Sequence, residues 1–271
     1  MNQSDSWYGG GSVSQSLGEN YEKYLVPTIF GPWAADFVEL AGPQAGERIL
    51  DVACGTGAVA RQAARMIGTD GTVTGLDLNA GMLTIARTLD LQGTVQWREG
   101  SAQAMPFSEE VFTLVLCQQG MQYFPDREAA LREMHRVLAS GGRLVLSVWR
   151  AVERTPGFLA LGQALARHIS PEAGVLPPFA LGDALGLTAE VARVGFHDVT
   201  TQTVSRLLRY DSPEEFVRTY VISTPLANLL AQVEEARWVA LLADVRVSLQ
   251  TYLDGKSLVF PIESQIIKAH K

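Results

Sequence analysis

The chain has 271 residues, 47% of them hydrophobic, with 29 acidic against 22 basic side chains and a formal charge of −7. That length and apolar content fit one sizeable α/β domain with a smaller appended region, and they exclude general disorder. The acidic balance, without a dense Lys/Arg run, gives no electrostatic grip on a phosphate backbone, so nucleic acid is not an expected partner.

Two cysteines, Cys54 and Cys117, make neither a disulfide framework nor a CxxC zinc pair, and no metal is expected. A reducing, cytoplasmic setting is the expectation. Residues Met1 to Gly18 are polar and glycine-rich, unlike a secretory signal, and no run of apolar residues is long enough for a membrane span.

Residues 1–18 read as a flexible lead, and 19–271 as a single domain. From Glu19 to Leu40 the apolar spacing predicts two short helices, separated by Pro27 and Gly31-Pro32 and stopped by Gly42-Pro43. A different rhythm starts near residue 47. Ile49 to Ala53 is a buried strand, running through Cys54-Gly55-Thr56-Gly57 into a helix with Val59, Ala60, Ala63, Ala64 and Ile67 on one face. Thr72 to Asp77 is the second strand and Gly81 to Leu89 the second helix. Val95–Glu99, Phe112–Cys117 and Arg143–Trp149 are further strands. Asp126 caps a helix with Ala130, Met134, Val137 and Leu138 inward, ended by Gly141-Gly142. This alternation predicts a doubly wound, mainly parallel sheet. Beyond Arg150 the pattern gives helices at Pro156–Ser170, Asp183–Val194, Ser212–Val221 and Ala227–Leu253, with strands at His197–Arg209 and Leu258–Lys268.

The chemistry is carried by Asp51-Val52-Ala53-Cys54-Gly55-Thr56-Gly57. A strand turning into a helix over small residues lets a ligand lie against the backbone, where a Cβ would hold it away. Asp77 follows Gly57 by 20 positions, at the end of the next strand, where a carboxylate accepts hydrogen bonds from ribose hydroxyls. The pair indicates an adenosine-containing ligand. Gly55-x-Gly57-x-x-Ala60 also fits the dinucleotide pattern, so a nicotinamide-dependent oxidoreductase is an alternative. Asp51 would repel a pyrophosphate and attract an ammonium or sulfonium, which favours S-adenosylmethionine.

The run Ile49 to Gly57 resembles the first signature of class I S-adenosylmethionine-dependent methyltransferases, closest to the type of ubiquinone and menaquinone biosynthesis. Gly75 to Leu83, Gly100 to Phe107, Phe112 to Gly120 and Leu131 to Arg143 resemble the later signatures, in order and spacing, over residues 47–150. The resemblance implies a Rossmann-like, seven-stranded α/β sheet with its last strand antiparallel. It implies that the backbone of Ala53, Gly55, Thr56 and Gly57 cradles the methionine part, beside Asp51. Asp77 would hold the ribose, Leu78 and Met82 pack on adenine, Ser101 and Ala102 meet its edge, and Gln118 sit at the sulfonium end. Two positions depart from the family pattern: Ala53 stands for a frequent glycine, and Ser101 for an Asp or Asn.

Methyl transfer from a sulfonium needs alignment more than an acid or base, so no catalytic residue is assigned. An oxygen acceptor would want a base, but His135, His197 and His270 read as surface or packing positions, and His168 as a surface helix position in the acceptor region. Tyr21, Tyr24 and Trp33 either form a lid over the cofactor or dock their helices on the sheet. Cys54 and Cys117 read as packing thiols, and Glu109-Glu110 as a solvated turn. Residues 19–42, 151–182 and 212–255 are expected to roof a pocket for a small, hydrophobic methyl acceptor such as a quinone, polyketide or terpenoid. A non-methylating S-adenosylmethionine-binding protein is the other alternative.

Overall fold

The computed structural model describes residues 15–182 and 184–271. One mixed sheet organises it. Its strands are β1 (Arg48–Val52), β2 (Thr72–Asp77), β3 (Val95–Glu99), β4 (Phe112–Gln118), β5 (Leu138–Trp149), β6 (His197–Tyr210), β7 (Leu253–Asp254) and β8 (Ser257–His270). The order is β3-β2-β1-β4-β5-β8-β6, with the two-residue β7 hairpinned on β8. The first five strands are parallel, whereas β8 runs antiparallel to both β5 and β6. The doubly wound, seven-stranded expectation is met by the seven long strands.

Central strands are apolar on both faces because helices cover both: after exposed Arg48, all of β1 is buried. Along α1 (Gln15–Asn20), α2 (Gly31–Ala41), α3 (Ala58–Ile67) and α4 (Ala80–Leu89), the helical period chooses the inner face. In α3 that face is Val59, Ala60, Ala63, Ala64 and Ile67, as the spacing predicts. Asn79 caps α4, its side-chain oxygen accepting from the N–H groups of Gly81 (3.0 Å) and Met82 (3.2 Å). Asp126 caps α5 (Arg127–Val137) by accepting from Ala129 N–H at 2.9 Å.

Three boundaries differ from the sequence expectation. The N-terminal segment is one continuous helical run, not two short helices: α1 passes into a π-helical stretch, Tyr21–Phe30, and then into α2. Pro27 is tolerated inside the wider turn, and Gly31 N–H reaches back five residues to the Val26 carbonyl. A Cβ at Gly31 would lie 2.8 Å from that oxygen, so this glycine lets the helix continue instead of stopping it. Gln15 to Gly18 belong to α1, with Gly18 pressed on Ile85 of α4; the rest of the expected flexible lead, residues 1–14, lies outside the described residues.

Secondly, α5 stops at Val137 and not at Gly141-Gly142, because Leu138 already pairs with Phe112 of β4. Thirdly, the helix expected over Ala227–Leu253 is broken. Following α6 (Pro156–His168), α7 (Ala184–Arg193) and α8 (Pro213–Ile222), the chain forms α9 (Leu226–Leu230) and α10 (Glu235–Ser248). No Gly or Pro stands at residues 231–234, so no local signal marks the break. Packing sets it: Leu241 and Val245 of α10 are buried in one cluster with Leu161 and Leu165 of α6. Asp183, the expected start of α7, lies outside the described residues. No helix among the described residues is long and apolar enough to cross a membrane.

Candidate cofactor site

At the carboxyl ends of β1, β2 and β4 the chain leaves the sheet beside a cavity of about 290 Å³. This is where an open α/β sheet offers a crevice, because the crossovers on either side of β1 diverge to opposite faces.

The loop after β1 is held in left-handed backbone at Ala53 (φ 57°), Gly55 (φ 55°) and Gly57 (φ 86°). Cys54 N–H donates to the Leu76 carbonyl (3.0 Å), and Gly57 N–H to the Cys54 carbonyl (2.8 Å). Positive φ at Ala53 costs a non-glycine residue about 1–2 kcal/mol, which supplies a reason for glycine at that position in the family pattern. Gly55 faces the cavity, and a Cβ built on it meets nothing within 4 Å.

Gly57 has a different cause. A Cβ there would lie 2.2 Å from the Trp97 ring, and one on Gly75 would lie 2.6 Å from it. The missing side chain at Gly57 therefore seats a tryptophan from β3 and does not clear room for a ligand.

Asp77 lines the cavity at the end of β2. Its Oδ2 accepts from Gly55 N–H at 2.7 Å and its Oδ1 from Asn79 N–H at 2.8 Å, leaving lone pairs on both oxygens. Burial raises its pKa above the usual carboxylate range, opposed by those N–H donors. Asp51 lies behind the loop, 1% exposed, its Oδ2 accepting Ala60 N–H at 3.0 Å in the first turn of α3. Burial raises its pKa well above the ordinary value, and the Asp77 charge adds to that. The field of the two carboxylates is felt around them. Burial first, then Asp77 and Asp51, hold the Cys54 thiol well above its usual range, so it is a packing group and not a nucleophile.

Of the residues expected at the site, Ala53, Gly55, Asp77, Leu78, Met82, Ser101, Ala102 and Gln118 line the cavity. Asp51, Thr56 and Gly57 do not, and stand behind it. Thr56 is 2% exposed, with its carbonyl taken by the Arg61 guanidinium.

The structure adds Phe30, Gln119 and Tyr123 to the wall. Gln119 sits at φ 55°, and its Nε2 donates to Ser264 Oγ at 3.0 Å. Its Oε1 is buried with no hydrogen-bond partner. Nothing in the sequence sets Gln119 apart from Gln118; only its strained backbone and the reach to β8 do.

The aromatic set of the N-terminal run divides three ways. Tyr21 lines the cavity, stacked on Phe30 with ring centroids 5.0 Å apart. Trp33 is core, edge-on to Trp149 at 5.3 Å, and Tyr24 lies under the Lys23 ammonium at 5.0 Å. None of the four histidines lines the cavity. His168 Nε2 lies 3.1 Å from Asp244 Oδ2, His135 packs edge-on to Phe196 at 5.0 Å, and His197 stacks on His270 at 5.9 Å.

These observations test the fit of an adenosyl sulfonium. The cavity offers Asp77, Gln119, an open face at Gly55 and apolar Leu78 and Met82. Acceptors and buried negative charge suit hydroxyls and a cation, and oppose a pyrophosphate. The residues fit.

Fold and site together resemble those of class I S-adenosylmethionine-dependent methyltransferases. Residues 50–146 match the methyltransferase domain family. The chain is 33% identical over 169 residues to the ubiquinone/menaquinone biosynthesis C-methyltransferase UbiE of Edwardsiella ictaluri, covering 60% of this chain and 65% of that one. It is 37% identical over 140 residues to the enzyme of the same name from Xanthomonas campestris, covering 49% and 55%. The match thus spans less than two thirds of the length of either relative. In fold it resembles the YcgJ protein of Bacillus subtilis (TM-score 0.61, 18% identity, 89% of this chain and 98% of that one). It also resembles a Haemonchus contortus phosphoethanolamine N-methyltransferase 2 (TM-score 0.61, 18% identity, 95% and 57%).

Proposed function

We propose that the chain transfers the methyl group of S-adenosylmethionine to a small, hydrophobic acceptor in a cytoplasmic setting. The observation that carries this reading is the cavity itself, where Gly55 leaves backbone open beside a half-buried carboxylate, Asp77. Asp77 would accept the ribose hydroxyls, Leu78 and Met82 pack on adenine, and Ser101 and Ala102 meet its edge. The backbone at Ala53 and Gly55, with Gln118 and Gln119, would hold the methionine end. When bound, S-adenosylmethionine supplies an electrophilic methyl on a sulfonium.

What the chain adds is alignment and exclusion of water. Tyr21 and Phe30, on a helical run that crosses the cavity, act as its lid. No imidazole stands at the cavity, so the chain supplies no histidine base and the acceptor must bring an electron-rich atom of its own. The relatives' names couple C-methylation to quinone biosynthesis. Residues 15–41, 151–182 and 212–255 would form the acceptor side, with the apolar and aromatic cluster of Trp149, Phe158, Phe216 and Phe260 at their meeting point.

Calorimetry with S-adenosylhomocysteine and NADH tests the cofactor assignment: the first binds and the second does not, and the reverse would overturn it. Radiolabelled methyl transfer to a panel of apolar phenols and quinols then tests activity. Tight binding with no transfer to any of them would instead favour a cofactor binder that does not methylate.

A further inference from the structure

Next to the cofactor cavity lies a second, smaller one of about 20 Å³, which shares Phe30 and Tyr123 with it. Its remaining wall is largely aromatic, with Trp149, Phe158, Phe179 and Tyr220. Phe158 meets Tyr220 edge to face at 4.9 Å and lies tilted to Phe179 at 5.1 Å. Rings at these separations are in direct contact and together present an apolar, aromatic surface to the cavity. The residues of this wall that carry a side-chain oxygen are Tyr123, Tyr220 and Thr224. Thr224 donates to the Val221 carbonyl at 3.4 Å, and Tyr123 is also engaged. Tyr220 differs: it is 4% exposed, and its hydroxyl has no hydrogen-bond partner.

An unpaired hydroxyl in an apolar compartment is costly and needs a cause. The backbone around it is tied down, with Asn20 Nδ2 donating to the Ile222 carbonyl at 3.1 Å and Ser223 Oγ to the Asn20 carbonyl at 3.1 Å. Helix α8 is thereby fixed to the N-terminal run that carries Phe30. Burial raises the Tyr220 pKa, so the group stays protonated and able to donate at neutral pH.

We propose that Tyr220 determines acceptor specificity, its hydroxyl donating a hydrogen bond to the ring oxygen of an aromatic acceptor seated against Phe158. Rotation of Phe30 and Tyr123, the side chains common to both cavities, opens the seat toward the cofactor. This assignment rests on the methyltransferase reading above and adds the residue that selects the substrate.

The test uses the full chain saturated with S-adenosylhomocysteine and two probes of similar shape, 2-naphthol and 2-methylnaphthalene, titrated by calorimetry. The wild type should prefer 2-naphthol by about tenfold, the scale of one good hydrogen bond. Tyr220→Phe should reduce that preference to within about twofold by weakening 2-naphthol alone. Tyr210→Phe, which removes an unpartnered hydroxyl that does not line this cavity, should leave it intact. Affinity for S-adenosylhomocysteine should be the same in all three proteins. Preference surviving in Tyr220→Phe overturns the assignment, as does failure of both probes to bind the loaded wild type. In either case intact S-adenosylhomocysteine binding leaves the methyltransferase reading standing. Loss of S-adenosylhomocysteine binding in the wild type itself removes both.

Discussion

The two sides of the cleft are built from different materials. On the side of β1, β2 and β4 the wall is mostly backbone and short side chains, fixed by turns at Ala53, Gly55 and Gln119 and by the N–H groups that hold Asp77. On the side of the N-terminal run and residues 151–255 it is made of large rings, placed by packing between helices distant in sequence. A backbone wall recognises one ligand and tolerates little change in its turns. A side-chain wall is reshaped by single substitutions, so acceptors can differ between proteins that keep the same cofactor.

Both sides nevertheless seat a ring on a glycine, and substitution there gives the largest expected effects. Gly57→Ala combines a clash with Trp97 and positive φ, and should lower stability by about 3 kcal/mol or more in urea unfolding. Combined with Trp97→Leu, the loss should be less than additive. If Gly57→Ala costs under 1 kcal/mol, the tryptophan seat is not what fixes this turn.

On the ligand, Asp77→Ala should weaken cofactor binding by about 1–3 kcal/mol through lost hydrogen bonds, with unchanged calorimetric affinity removing Asp77 from the site. The acceptor-side counterpart of Gly57 is Gly157, where a Cβ would lie 2.3 Å from the Phe260 ring. It sits in α6 with helical backbone, so Gly157→Ala regains up to about 1 kcal/mol of helix propensity against the clash. Its net loss should be about 1–2 kcal/mol in the same unfolding experiment, less than at Gly57.

The pH response follows from the raised pKa of Asp77. On acidification it protonates at a higher pH than an ordinary carboxylate and loses acceptor capacity. Cofactor affinity should therefore fall below that pKa, by up to about tenfold per pH unit, and binding there should release a proton. Calorimetry in buffers of different ionisation enthalpy reads that proton. Without ligand the sign reverses: Asp77 contributes a loss of stability as pH rises from the ordinary carboxylate range through its raised pKa. The smallest effect belongs to the exposed pair Arg209–Asp254 (2.9 Å), where Arg209→Ala should change stability by no more than about 0.5 kcal/mol.

The same division explains what the sequence discloses. The places of Asp77, Ala53 and Gly55 at the cavity wall are legible because a strand, a tight turn and the next strand end are local patterns with fixed spacing. The role of Gly57 is misread from the same pattern, since the ring that needs its space comes from Trp97, forty residues further on. Gln119 and Tyr220 carry no local mark at all. Their significance is that one oxygen in each is buried without a partner, a condition set by neighbours such as Ser264 and Phe158.

By itself, the sequence determined the alternating strands and helices, the mainly parallel sheet and the position of the glycine turn after the first strand, because period, glycine placement and caps act over a few residues. Tertiary structure alone decided that the helix passes through Pro27 and Gly31, that Ala227–Leu253 is broken, and which rings pack beside the cavity. Those outcomes depend on burial and on steric contact between segments far apart in the chain, and such contacts exist only once the chain has folded.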